Sequence, residues 1–206
     1  MIEAMLDGVY PVDEATLRSV HEETLRLSRL IDMLRELESI DSGKLTLQLE
    51  EIDMGALVSS SLSLFGNAAL GKGVSLSVVD SSGSPLRLVA DRLRFGEVVY
   101  NLLSNALRHA PSGGRIRLSL SRGDDAAFVL AVEDDGQGVP PGERERVFDR
   151  FYRTGKSRSS DSGGRGLGLS IAREIVKAHG GELTVDASPE LGGARFLLRL
   201  PAGLKA

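Results

Sequence analysis

The chain has 206 residues, 25 Lys and Arg against 29 Asp and Glu, a formal net charge of −4 and no cysteine. That composition excludes disulfides, thiol nucleophiles and thiolate metal sites, and without a basic tract no nucleic-acid partner is expected. No run of about 18 apolar residues suggests a membrane span, the start MIEAMLDGVY lacks a signal peptide's basic and apolar regions, and the expected compartment is the cytoplasm.

Residues 1–8 read as the tail of a helix that ends at Tyr10-Pro11, since a proline biases the residue before it away from helix. Asp13 is a candidate cap for the next helix. Over 16–40, Leu17, Val20, Leu27, Ile31 and Leu34, with Thr24 in the series, alternate spacings of three and four, and Leu30, Met33, Leu37 and Ile40 widen the stripe. So broad a stripe on a helix of about 28 residues, roughly 40 Å long, is expected to pack in a bundle. Asp41-Ser42-Gly43 then breaks the helix and the period falls to 2, which divides the chain at 1–42 and 43–206. Leu45, Leu47 and Leu49 predict a strand, and a helix follows over 54–70. Strands are predicted over 74–79 and 86–90, a helix over 91–111, and strands over 115–121 and 126–134. A helix over 166–179 and strands over 182–187 and 194–200 close the chain. The sum is an α+β fold, a sheet with helices packed against it.

The helix over 91–111 carries Phe95, Val98, Val99, Leu102, Leu103, Ala106 and Ala110 on one face, and Arg94, Glu97, Asn101, Asn105 and Arg108 on another. Two amides one turn apart, flanked by apolar residues, need hydrogen bonds if buried, so either a polar ligand sits there or the face is merely solvated. Phe128, Leu130 and Val132 share a strand face with Asp134. A carboxylate where the core face runs out is costly unless something donates to it, although Asp-Gly pairs also form ordinary turns. Gly136 and Gly138 follow it. Gly164, Gly166, Leu167, Gly168 and Leu169 open a helix, where free N–H groups and the helix dipole favour phosphate. The stretch is neither a P-loop, lacking GK followed by Ser or Thr, nor a Rossmann turn. Before it, residues 149–162 are polar and basic, with Arg150, Arg153, Lys156 and Arg158.

The order of Asn-rich helix, D-x-G-x-G turn and GxGLGL turn resembles the ATP-binding domain of sensor histidine kinases, in the wider family of gyrase, Hsp90 and MutL ATPases. The resemblance implies an α/β sandwich of the Bergerat type that binds ATP with Mg²⁺. Asp134 would accept from the adenine amino group, Gly136 and Gly138 would admit the base, and Asn105 would reach the ion with Asn101 beside it. Arg108 and His109 take the places of a lysine and a polar ring that contact phosphates. Residues 149–162 would form a lid, with Phe148 and Phe151 at its near end, or in the core, and Arg153 a phosphate contact. Ala194 stands where threonine is common.

Hydrolysing relatives, and the anti-sigma serine kinases, carry a glutamate base where this chain has Asn101, which favours phosphorylation of a histidine. Residues 1–42 are similar to the second half of a dimerisation hairpin, two of which would make a four-helix bundle in a homodimer. A response regulator receiver domain is the implied partner, and the chain would be the cytoplasmic portion of a sensor. The family's acceptor motif, H-E-x-x-T/N-P-L, is absent, His21 reads as a solvated helix residue, and His179 as a helix C-terminal residue suited to the dipole. A hairpin truncated before its acceptor, and a chain unable to phosphorylate itself, are the expectations. The alternatives are an ATP-sensing module without catalysis and an ATP-hydrolysing relative.

Overall fold

Alternating apolar residues lay five strands side by side, and the helices cover the face on which those residues point. The computed structural model describes residues 5, 7, 13, 14, 16–21, 24, 46–82, 85–123, 126–153 and 166–202. The chain divides into two compact units, Met1–Leu45 and Thr46–Ala206. In the first, residues 16–21 are helical and Asp13 caps them, its carboxylate accepting from the Thr16 N–H at 2.8 Å and from its hydroxyl at 2.7 Å. Those bonds hold the Asp13 carboxyl below the ordinary carboxylate range. His21 is exposed on this helix. The stripe expected from Leu27 onward lies outside the described residues.

In the second unit the five-stranded sheet runs in the order β2 (Ser75–Asp80), β4 (Arg115–Arg122), β5 (Phe128–Asp134), β7 (Ala194–Leu200) and β6 (Glu182–Ala187). Strand β2 pairs parallel with β4, and the other pairs are antiparallel. Register sets Leu118 opposite Val132 and Val132 opposite Phe196, building rows of apolar side chains. Among the described residues three α-helices lie in this unit: α1 (Met54–Lys72), α2 (Arg92–His109) and α3 (Gly168–Ala178). Phe95, Leu102, Leu103, Ile171 and Ile175 from α2 and α3 are fully buried beside Leu118, Leu130 and Phe196 of the sheet.

The strand expected over 45–49 falls later, as β1 (Glu50–Asp53), paired antiparallel with β3 (Arg87–Ala90). Leu47 and Leu49 are half-buried as their alternation implies, but the backbone there is held otherwise: the Gln48 N–H donates to Asp91 Oδ2 at 2.9 Å. Helix α1 is long and apolar enough, by length and composition alone, to cross a membrane, although its sequence holds no unbroken apolar run of that length. One face is buried, with Phe65 tilted on Tyr100 of α2 at 5.1 Å, while Leu64 and Leu70 on the other are exposed.

His179 corrects its expected role. It has no exposure, its Nδ1 lies 2.7 Å from the Ile175 carbonyl, and its Nε2 accepts the Asp91 N–H at 3.0 Å. A nitrogen that accepts an N–H carries no proton, so the ring is neutral with its proton on Nδ1. Burial pushes its pKa down. It joins the end of α3 to the start of α2 through hydrogen bonds, not through charge on a dipole.

Candidate functional site

Strand β5 ends on Asp134, which is 1 % exposed. Its Oδ1 accepts the Gly136 N–H at 2.8 Å and the Ala194 N–H at 3.4 Å. Its Oδ2 is buried with no hydrogen-bond partner among the described residues. Burial pushes the pKa up, opposed by the two backbone bonds. A desolvated carboxylate oxygen without a donor is costly, and the cost falls when a ligand supplies an N–H. Glycines make the surroundings pure backbone. A Cβ on Gly136 would lie 2.6 Å from the His109 carbonyl oxygen, and one on Gly193 would lie 2.5 Å from the Gly136 nitrogen. Gly138, at φ 69°, packs against Gly193.

The end of α2 gathers the cations Lys72, Arg108 and Arg153 around His109, whose lowered pKa leaves it neutral. Burial lowers the pKa of Arg108, with Arg153 adding like-charge repulsion, and His109 is lowered by burial first and then by Arg108 and Lys72. Lys72 Nζ donates to the carbonyls of Leu107 at 2.7 Å and Arg108 at 3.1 Å, closing the helix terminus. Like charges held this close favour an anion between them. Asn101 and Asn105 are half-buried one turn apart on the same helix.

Helix α3 meets α2 at Asn101: a Cβ on Gly168 would lie 2.8 Å from Asn101 Oδ1. Gly168 is thus a helix-packing glycine, although the sequence pattern suggested only close approach to an anion. The cap of α3, Leu167, makes no side-chain hydrogen bond, so the cap itself offers nothing to the first-turn N–H groups. Leu167 is buried and Leu169 half-buried. Gly166 takes φ 73° and its carbonyl accepts the Phe151 N–H at 2.9 Å, tying together the two ends of residues 151–166.

Phe148 is buried, edge-on to Phe196 at 6.3 Å with the Arg173 guanidinium over its face at 4.7 Å. Phe151 is 62 % exposed, with φ 61°, so it does not join the core. Gly164, Lys156 and Arg158 lie outside the described residues.

Residues 90–204 match the family described as "Histidine kinase-, DNA gyrase B-, and HSP90-like ATPase". The chain belongs to that family. Over 185 residues it is 37% identical to the alginate biosynthesis sensor protein KinB of Pseudomonas aeruginosa, covering 90% of this chain and 30% of KinB. Over 202 residues it is 35% identical to the signal transduction histidine-protein kinase BaeS of Escherichia coli, covering 97% of this chain and 42% of BaeS. Full-length ShkA, solved in complex with AMPPNP, aligns with a TM-score of 0.80 at 26% identity over 93% of this chain and 39% of that one. The chain therefore spans less than half the length of these relatives. It is a histidine-kinase-type ATP-binding domain with the α/β sandwich of that group.

Three members of the candidate site were not singled out from the sequence. Gly193 backs Asp134 from the β6–β7 turn, in which only Ala194 drew comment. Ser188 and Glu133 join that turn to β5 by a 2.8 Å bond. The doubled glycine at 192–193 was a signal of close backbone approach, but its partner could not be named without the register.

Proposed function

We propose that this chain is the catalytic core of a two-component sensor histidine kinase, binding Mg-ATP and transferring the γ-phosphoryl group to a histidine. The observation that carries the reading is Asp134 Oδ2, buried and unpartnered among the described residues, on a carboxylate whose other oxygen is backed by Gly136 and Gly193. That cradle fits a flat base bearing an amino group. Adenine would donate its amino N–H to Oδ2, with Gly136, Gly138 and Gly193 leaving the base room.

The first turn of α3, from Gly166 through Leu169, with Arg108, Arg153 and His109, would take the phosphates. Phe148 would brace the near end of the lid from within the core, and Gly164 would complete the glycine turn. Asn105, with Asn101 beside it, offers neutral side-chain oxygen of the kind a hard cation prefers. Mg²⁺ there would neutralise charge on the phosphoryl oxygens. Asn101 cannot accept a proton, and the Glu97 carboxylate is engaged by Arg94 at 3.3 Å. No carboxylate therefore stands at the Asn101 position to activate water, which favours transfer over hydrolysis.

The whole protein would pair as a homodimer through the hairpin, work on the cytoplasmic side and hand its phosphoryl group to a response regulator receiver domain. A second reading, an ATP-binding module that transfers nothing, is favoured by one observation: the 206 residues contain no H-E-x-x-T/N-P-L segment. The deciding experiment mixes the chain with Mg-ATP and a separate hairpin bearing that segment. Label on the hairpin histidine supports the kinase reading; nucleotide binding with no label and no phosphate release supports the module.

A further inference from the structure

Glu133 stands next to Asp134 but on the opposite face of the sheet, and it too is buried, at 3 % exposure. The register flanks it with Arg117 of β4 and Arg195 of β7. Its Oε2 accepts from Arg117 Nη2 at 2.9 Å, and its Oε1 accepts the Ser188 hydroxyl at 2.8 Å. A hydroxyl has one proton to give, and Ser188 spends it on Glu133.

Ser188 opens the β6–β7 turn and organises it. Its Oγ accepts the Leu191 N–H at 3.0 Å, its carbonyl accepts the Gly192 N–H at 3.0 Å, and its N–H donates to the Gly193 carbonyl at 2.8 Å. Arg117 holds the same turn from outside through Glu190. What the turn delivers is Gly193 against the Asp134 backbone and the Ala194 N–H on Asp134 Oδ1. The clamp sets the second of the two N–H groups on Asp134 Oδ1, from Ala194 at 3.4 Å, while the first, from Gly136 at 2.8 Å, lies outside the turn.

We infer that Ser188 and Glu133 are positioning residues for base selection: they lock the β6–β7 turn so that Ala194 holds Asp134 Oδ1 and Oδ2 meets a base carrying an exocyclic amino group. The inference rests on the adenine reading of Asp134. With the turn released, Oδ1 keeps the Gly136 N–H but loses the Ala194 N–H and the Gly193 backing, so the carboxylate is held less firmly and the preference for an amino-bearing base falls, while the phosphate contacts on α2 and α3 are untouched.

The test is calorimetry on the full chain with two magnesium nucleotides, ATP and purine riboside triphosphate, whose base lacks the 6-amino group. Ser188→Ala and Glu133→Ala are compared with the parent; Glu133→Ala leaves Arg117 paired with Glu190, and it decides the matter if Ser188→Ala does not fold. The expected result is about fivefold weaker ATP binding in each variant, with affinity for purine riboside triphosphate held within about twofold. Equal losses for both nucleotides, which mere loosening of the domain would produce, or no loss for either, would overturn the inference. Asp134→Asn separates the two layers. Selective ATP loss in Asp134→Asn without it in the Ser188 and Glu133 variants removes the positioning role alone, whereas no selective loss in Asp134→Asn removes the adenine reading and this inference with it.

Discussion

The Asp134 carboxylate has one oxygen held by two N–H groups and the other buried without a partner among the described residues. A hydrogen bond to a charged acceptor contributes about 1.5 to 3 kcal/mol. Asp134→Asn exchanges that acceptor for a donor, so Mg-ATP affinity should fall by roughly 10- to 100-fold in calorimetry; an unchanged affinity would remove the adenine assignment. Asp134 was legible because it sits at the apolar position of an alternating strand. Ser188 and Glu133, 55 residues apart, were not, because nothing local marks two polar residues that satisfy each other across a register that only folding sets.

On the scale of elements, the two long motifs meet where Gly168 admits Asn101. Alanine normally improves a helix over glycine by roughly 0.5–1 kcal/mol. At Gly66 of α1, where a Cβ would meet nothing within 4 Å, Gly66→Ala should therefore stabilise by about that amount. Gly168→Ala should do the reverse, losing about 1–3 kcal/mol through overpacking against Asn101. Urea unfolding of both variants checks the pair, and a stabilised Gly168→Ala would mean that α3 does not rest on Asn101.

His179 links the same helices, and its folded pKa lies below the ordinary 6.5. The unfolded chain then takes up the proton first on acidification, so this residue's contribution is complete above about pH 6.5 and is lost as pH falls through the folded value. His109 is shifted the same way, while Asp134 and Glu97, raised by burial, act in the opposite sense at lower pH. The urea midpoint should fall from about pH 7.5 to about pH 5.5, and by less in His179→Gln. An identical pH dependence in that variant would contradict a buried neutral ring. Helix and strand positions were largely legible because period and punctuation agree, as at Asp13, a candidate cap that accepts the Thr16 N–H. Strand β1 was displaced because a half-buried alternation such as Leu47 and Leu49 does not say which backbone will pair. The order β2-β4-β5-β7-β6 depends on crossovers to which periodicity is blind.

For the molecule as a whole, the proposed transfer needs a nucleophile within about 3.5 Å of the γ-phosphorus and in line with the leaving oxygen. The chain has 3 histidines. His179 has no exposure and both ring nitrogens are engaged. His109, half-buried at the end of α2, has its pKa held down by its surroundings and belongs to the proposed phosphate contacts. His21 is exposed on a helix of the first unit, but its neighbours Glu22, Glu23, Thr24 and Leu25 lack the proline of the acceptor motif and place the threonine one residue early. The expected outcome is that the purified chain, incubated with Mg²⁺ and radiolabelled ATP, binds nucleotide but gains no acid-labile, alkali-stable label, the signature of phosphohistidine. A separately supplied hairpin with an intact motif should become labelled if the proposed transfer is correct, because the chemistry asks of this chain only the nucleotide and its orientation. Label on the chain itself that disappears in His21→Ala would overturn this assignment, and would make the helix at 16–21 the carrier of the acceptor.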